Sequence, residues 1–75
     1  MIGRIVLKKF NYYGQEITVP DYAKFVATDR DGDIWWYTNK PNDAYDVWIV
    51  GKKGNCFRCG NNPNIKNWRG SLKPC

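Results

Sequence analysis

Short apolar runs separated by turn-forming residues constrain this chain most, because no segment carries the apolar spacing of a helix. Alternation along these runs predicts strands at 4–10, 15–19, 24–28, 34–38, 45–50 and 55–59. Asp31-Gly32 favours a hairpin between the third and the fourth of them, since both residues tolerate positive φ. The 75 residues are therefore expected to form one domain, 1–75, which is mostly β. The expected architecture is an antiparallel curled sheet or partly open barrel of about five or six short strands, with an irregular C-terminal tail.

The densest aromatic segment is Ile34-Trp35-Trp36-Tyr37. Neighbouring residues of a strand point to opposite faces, so Ile34 and Trp36 should share one side, and Trp35 and Tyr37 the other. A sheet with one wet face would alternate apolar with polar residues, and this strand does not. Either both faces are packed, or Trp35 and Tyr37 present their rings to a partner.

Three cysteines cannot all pair within one chain, and reduced thiols are the expected state. Cys56 and Cys59 have the spacing of a zinc knuckle, with Cys75 as a third ligand, but a structural zinc site needs four ligands. The two thiols of a flat strand would also face opposite sides. We therefore expect no bound metal, and a zinc site at these three cysteines stays the less favoured alternative.

Residues that support catalysis are scarce. The chain has no histidine, and Ser71 is its only serine, so a Ser-His-Asp triad is excluded. The glycines of Gly51–Gly54 lack the spacing of a phosphate-binding loop. The alternating aspartates of Asp29–Asp33 do not match the loop of an EF-hand. That loop has its invariant glycine at the sixth position, whereas the glycine here is at the fourth. We expect a protein that is not an enzyme and that needs no cofactor.

Charge is distributed unevenly along the chain. All seven carboxylates lie between Glu16 and Asp46, where three basic residues oppose them, so this middle segment has a net charge of −4. The first fifteen residues carry +3 and the last twenty-nine carry +6, without an acid in either. Such an asymmetry favours oriented association with a charged partner, although a solvated surface would explain it as well.

Nucleic-acid binding is the main alternative to protein binding. Basic residues of the second half interleave with aromatic ones, as in small β-barrels that bind single strands. The residues concerned are Trp48, Lys52, Lys53, Phe57, Arg58, Lys66, Trp68 and Arg69. The acidic middle would repel phosphates, and no nucleic-acid signature motif is present. No apolar stretch approaches the roughly 20 residues of a membrane span, and the start lacks a signal-peptide pattern, so a cytoplasmic location is expected.

The stretch Ile17–Pro41 resembles a segment of short bacteriophage and prophage proteins. The shared pattern is a strand that ends in Val19-Pro20, an apolar strand, Asp-x-Asp-Gly, an aromatic strand and Lys40-Pro41. Trp68–Leu72 is similar to the Trp-x-x-Ser-Leu close of those proteins. The resemblance covers about two thirds of the chain, and the Cys-x-x-Cys segment and the basic tail lie outside it. It implies a viral origin, and a place in the host cytoplasm, more than it implies a mechanism.

Together these features lead to one hypothesis and two alternatives. The chain is expected to bind a host protein or a protein–nucleic-acid complex, such as an antiviral defence complex or the transcription machinery, and to inhibit it by steric occlusion. Direct binding of nucleic acid is the first alternative, and a zinc-bound structural or oligomeric viral protein is the second. The sequence leaves open whether the chain is a monomer or a dimer. The expected partner-binding residues are Trp35, Tyr37, Lys52, Lys53, Arg58, Trp68 and Arg69.

Overall fold

The computed structural model describes residues 6–51 and 54–75. Within these residues the chain is mostly β, as the alternation predicts. The strands are β1 (Leu7–Tyr12), β2 (Gln15–Pro20), β3 (Phe25–Thr28), β4 (Asp33–Tyr37), β5 (Asn42–Ala44), β6 (Val47–Ile49), β7 (Cys56–Asn61) and β8 (Lys73–Pro74), with one 3₁₀ turn at Trp68–Gly70.

All strand pairs of the described residues are antiparallel, and these residues form three sheets, none of which closes into a barrel. The central sheet has four strands in the order β7-β4-β3-β8. A β1–β2 hairpin and a β5–β6 hairpin form the other two sheets. Tyr13 and Gly14 connect β1 to β2 with φ values of 51° and 77°, and the positive φ at both central residues fits a type I′ turn.

The main core lies between the β1–β2 hairpin and one face of the central sheet. Ile17 and Val19 of the hairpin and Val26 and Ile34 of the sheet are at most 4% exposed, and Trp36 borders them at 8%. Val26 pairs directly with Trp36 in the β3–β4 register, so both side chains lie on this face. The expected alternation of β4 is therefore confirmed.

The opposite face of β4 is also packed. Tyr37 is 1% exposed. Ala27 and Trp35 pair across β3 and β4 on the same face; Ala27 is fully buried and the Trp35 side chain is half-buried. The carboxylate of Asp29 accepts a hydrogen bond from the backbone N–H of Trp48 in β6 at 2.9 Å. Packing on both faces explains why the apolar pattern of β4 is continuous.

Buried hydrogen bonds attach the C-terminal segment to this core. The Tyr12 hydroxyl lies 2.6 Å from Thr28 Oγ1 and donates to the carbonyl of Ser71 at 2.9 Å. Ser71 is fully buried, and its Oγ accepts from the backbone N–H of Thr28 at 2.9 Å. The C-terminal segment therefore satisfies backbone groups of β3 through side-chain hydrogen bonds. An irregular segment needs such bonds because it does not offer a regular ladder of backbone groups.

Several predicted strand bounds are wrong. β1 continues to Tyr12, because the turn needs only Tyr13 and Gly14, and the predicted start at 4–5 lies outside the described residues. The segment predicted as one strand at 45–50 is a turn followed by β6, because Asn42–Ala44, which precedes the predicted strand, forms β5 and pairs with β6. β7 continues through Gly60 to Asn61, and a register shift opposite Ile34/Trp35 accommodates the extra residue.

Substitution of Gly32 by alanine should lower the free energy of unfolding more than the same substitution at Gly14. Gly32 has a φ of +94°, and a Cβ atom there would lie 2.9 Å from the Cα of Pro63, whereas Gly14 has a φ of +77° and open space around it. Gly14→Ala should cost about 1 kcal/mol through backbone strain alone. Gly32→Ala should cost about 3 kcal/mol, because strain and backbone overlap add. Urea denaturation of both variants measures this difference, and equal costs would contradict it.

Candidate docking surface

The β5–β6 hairpin carries apolar side chains on both of its sides. Trp48 is half-buried, whereas its neighbours Val47 and Ile49 point the other way and are 41% and 52% exposed. Ordinary surface hairpins place polar residues at such outward positions. Two exposed β-branched residues side by side on a strand therefore indicate an apolar surface that is not covered by the described part of the chain.

Trp48 holds the hairpin to the central sheet. Its indole Nε1 donates to the carbonyl of Thr28 at 3.0 Å, with a longer contact to the carbonyl of Trp68 at 3.3 Å. Its backbone N–H donates to Asp29, whose burial raises the pKa of the carboxyl, while the Trp48 bond lowers it. These bonds fix which face of the hairpin points inward, and so leave Val47 and Ile49 outside.

Tyr45 lies in the turn between β5 and β6 in an unfavourable backbone conformation. Its φ is 47°, in the left-handed region that disfavours bulky side chains, and its side chain is 91% exposed. Tyr13 has a similar φ of 51°, but its ring packs edge-on against Tyr12 at 4.9 Å and its hydroxyl donates to Gly70. The strain at Tyr13 is thus offset by contacts within the chain, which the highly exposed ring of Tyr45 largely lacks.

Two arginines beside Tyr45 are held by carboxylates. Arg30 Nη1 lies 3.0 Å from Asp46 Oδ1, and Arg69 Nε lies 3.5 Å from Asp43 Oδ2. Arg69 also donates to the Tyr45 carbonyl at 3.2 Å. These bonds orient both guanidinium groups and offset their charges locally.

The Arg69 guanidinium also lies 5.0 Å from the centre of the Trp68 ring, within the range of a cation–π contact. Trp68 in turn packs edge-on against Trp48, with 6.2 Å between the ring centroids. A cleft of about 540 Å³ opens between this pair and the turn of the β5–β6 hairpin, and Arg30, Tyr45, Lys66, Trp68 and Arg69 are among its lining residues.

These features form one continuous area, because Arg30 and Asp46 border both the cleft and a neighbouring depression at Val47. We call it the hairpin surface, and define it by Arg30, Tyr45, Val47, Ile49, Trp68 and Arg69. The area combines exposed apolar groups, two aromatic rings and fixed guanidinium groups. Such a surface can bind another macromolecule.

The residues predicted to bind a partner do not all come together. Trp68 and Arg69 lie on the hairpin surface. Arg58 lies on β7, where its Nε is 3.0 Å from Asp33. Hydrogen bonds from Asn61 and Arg58 hold the pKa of Asp33 below its usual value. Lys52 and Lys53, also expected to bind the partner, lie outside the described residues.

Tyr37 was expected to present its ring to a partner, and this prediction is wrong: the ring is 1% exposed, and burial raises its pKa. Trp35 is half-buried. Its Nε1 is buried without a hydrogen-bond partner among the described residues. Both rings serve the second packed face of β4.

Cys59 and Cys75 both pack against the main core, whereas Cys56 lies on the other face of the sheet. Cys56 pairs with Tyr37 in the register and so shares its face, whereas Cys59 packs against the main core on the other face. Burial raises the pKa of all three thiols, that of Cys59 to about 11. Among residues 6–51 and 54–75 no three Cys, Asp or Glu side chains are grouped as metal ligands.

The aspartates of the β3–β4 turn have separate structural roles. Asp29 accepts from Trp48, Asp31 accepts from the backbone N–H of Asp33 at 2.9 Å, and Asp33 binds Arg58. Each carboxylate thus has a partner within the protein. The alternation of aspartates reflects the chemistry of the turn.

Sequence reasoning missed Arg30, Tyr45, Val47 and Ile49. One signal was available: Val47, Trp48 and Ile49 are all apolar, so both sides of this strand are apolar, a pattern that an exposed apolar side also produces. Nothing in the sequence indicates that Tyr45 lies in a turn, because residues 45–50 are predicted to form a strand.

Comparison with protein-family models, with curated proteins and with solved structures finds no match for this chain. In the described residues no helix has the length and apolarity required to cross a membrane.

Proposed function

We propose that this chain is a non-catalytic binding domain that docks onto a protein partner through the hairpin surface. The observation that carries the proposal is Tyr45, a 91% exposed ring at a φ of 47°. An exposed asparagine or glycine would suit this backbone better, so folding alone does not account for a tyrosine here. Strain of this kind is concentrated at functional positions.

The composition of the hairpin surface supports a protein as the partner. Tyrosine, tryptophan and arginine are the residues that dominate the energetics of protein interfaces, and Tyr45, Trp68 and Arg69 lie side by side here. Val47 and Ile49 add apolar area beside them. Arg69 is already oriented by Asp43 and the Tyr45 carbonyl, which reduces the entropy lost when a partner binds.

The same ion pairs favour a protein over nucleic acid at this surface. Asp43 and Asp46 offset the charges of Arg69 and Arg30 and would lie close to any phosphate that approached them. Phosphate binding relies on basic groups that release counterions. A paired guanidinium still donates to a partner's carbonyl or carboxylate, as in the mixed-charge rim of a protein interface.

The resemblance to short phage proteins supports a narrower version of the proposal. In this version the partner is a host protein, such as an antiviral defence component or part of the transcription machinery, and the chain acts in the host cytoplasm. Inhibition would be steric, because a domain of 75 residues that occupies a channel or a subunit interface excludes the natural ligand.

Tyr45→Asn tests the proposal through two opposite effects. Asparagine tolerates the left-handed backbone, so the free energy of unfolding should stay the same or rise by up to about 1 kcal/mol. Loss of a hot-spot ring should weaken partner binding by roughly thirtyfold or more. Affinity purification from nuclease-treated host lysate identifies the partner, and calorimetric titration measures its affinity for each variant.

Leu7→Asn is the matched control, because Leu7 is 60% exposed and lies on β1, away from the hairpin surface. It should leave the affinity unchanged. Recovery of nucleic acid alone from a lysate without nuclease treatment and of no protein from the treated lysate, or a Tyr45→Asn variant that binds as tightly as the wild type, would refute docking through this surface.

A further inference from the structure

The two edges of the central sheet differ in a way that bears on self-association. β8 forms one edge, and its two residues are Lys73 and Pro74. Lysine and proline are the residues that block strand addition. β7 forms the other edge with six residues and no proline, and β4 is its only hydrogen-bonded strand among the described residues.

The backbone of β7 presents donors and acceptors away from β4. Asn55 O accepts from Thr38 N at 3.0 Å, so the backbone groups of Asn55 and, two residues on, Phe57 face β4. Those of Cys56 and Arg58 therefore point outward. A bulge follows at Cys59, so the regular outward segment is 56–58.

An exposed row of rings adjoins this edge. Phe57 is 57% exposed and packs on Trp36, with ring centroids 5.1 Å apart. Trp36 in turn packs edge-on against Tyr22 at 5.7 Å, and Tyr22 is 52% exposed. The row Tyr22-Trp36-Phe57 thus runs across the sheet and ends at the β7 edge, beyond which the described residues place no strand.

We propose that β7 pairs antiparallel with β7 of a second copy of this chain, with the twofold axis at Phe57. Cys56 of each copy then lies opposite Arg58 of the other, and each such pair exchanges both backbone N–H···O bonds. The two Phe57 residues form the non-hydrogen-bonded pair on the axis, where side chains approach most closely. The aromatic rows of both copies join into one, and the two central sheets become a single eight-stranded sheet.

The charges and the register select this pairing. Pairing centred on Arg58 would place two guanidinium groups opposite each other, which costs free energy. Pairing centred on Cys56 would place Phe57 opposite Asn55 and lose the ring contact. In the Phe57-centred register Arg58 keeps its ion pair with Asp33, which offsets its charge at the interface. The remaining repulsion between two copies of net charge +5 is screened by salt, so added salt should strengthen the dimer.

Sedimentation equilibrium over a range of concentrations tests the pairing. We expect a reversible monomer–dimer equilibrium that shifts toward dimer with added salt. Phe57→Lys should raise the dimer dissociation constant by roughly thirtyfold or more, whereas Leu7→Lys, at a similarly exposed position on β1, should not. Circular dichroism checks that both variants keep the β fold.

A cross-link tests the register. With Cys59 and Cys75 replaced by serine and an oxidant added, Arg58→Cys should form a disulfide with Cys56 of the second copy while both Phe57 rings remain, and the same background without Arg58→Cys should not form a linked dimer. A chain that stays monomeric at all concentrations, or a dimer that persists in Phe57→Lys, would overturn the proposal. Neither result bears on the hairpin surface, because Tyr45→Asn leaves β7 intact and should leave the dimer unchanged.

Discussion

Tyr12→Ala is expected to lower the free energy of unfolding by about 3–5 kcal/mol, the range found for buried aromatic residues. The Tyr12 side chain is fully buried in the main core. Its hydroxyl bonds to Thr28 Oγ1 and to the Ser71 carbonyl, and so joins β1, β3 and the C-terminal segment. Truncation leaves a cavity and, in addition, two buried polar groups without their partner.

Tyr12→Phe separates the two contributions. The ring stays and only the hydroxyl is lost, so the cost should be about 1–3 kcal/mol, set by the unpaired groups of Thr28 and Ser71. Urea denaturation measures both variants. If Tyr12→Ala cost no more than Tyr12→Phe, the ring would not be the centre of the core, contrary to the packing described above.

At alkaline pH, a lower urea concentration than at neutral pH should unfold the protein. Burial raises the pKa of Tyr12, Tyr37 and Cys59, the last to about 11. In the unfolded chain these groups ionise near their ordinary values of 10 and 9. Between those values and the folded pKa, the unfolded state loses protons that the folded state keeps, so stability falls as pH rises. For Cys59 alone the loss should be about 2 kcal/mol between pH 9 and pH 11.

Cys59→Val isolates the thiol from the tyrosines. Valine keeps an apolar side chain at this site and cannot ionise, so the fall in unfolding free energy between pH 9 and pH 11 should be smaller by about 2 kcal/mol than in the wild type. The tyrosines should still destabilise the variant above pH 10. An unfolding free energy that stayed constant from pH 8 to pH 11 would show that these groups are exposed to water.

Much of the fold could be predicted from alternation and turn residues. The hairpin of β3 and β4 follows from Asp31-Gly32, and the two packed faces of β4 follow from its unbroken apolar run. The C-terminal segment could not be predicted in the same way. Its attachment depends on the buried side chain of Ser71 bonding to Thr28, forty-three residues away, and no local pattern reports such a contact.

The candidate site was predictable only in part. Trp68 and Arg69 stand out as an aromatic–basic pair in any context, and they lie on the hairpin surface. Tyr37 was wrongly assigned to the partner-binding residues, because the sequence of a β strand does not show whether its second face is covered or exposed. Tyr45 was missed because it stands out only by its positive φ, and the pairing of Ala44 with Val47, which sets this backbone angle, is not visible in the sequence.

Nuclear magnetic resonance titration of isotope-labelled protein with the purified partner tests the central claim most directly. Docking through the hairpin surface predicts that the largest amide shift changes cluster at residues 44–49 and 65–70, and that they are smaller for Tyr45→Asn at a partner concentration below the dissociation constant of that variant. Changes centred on β1 or β7, with residues 44–49 unaffected, would contradict the claim.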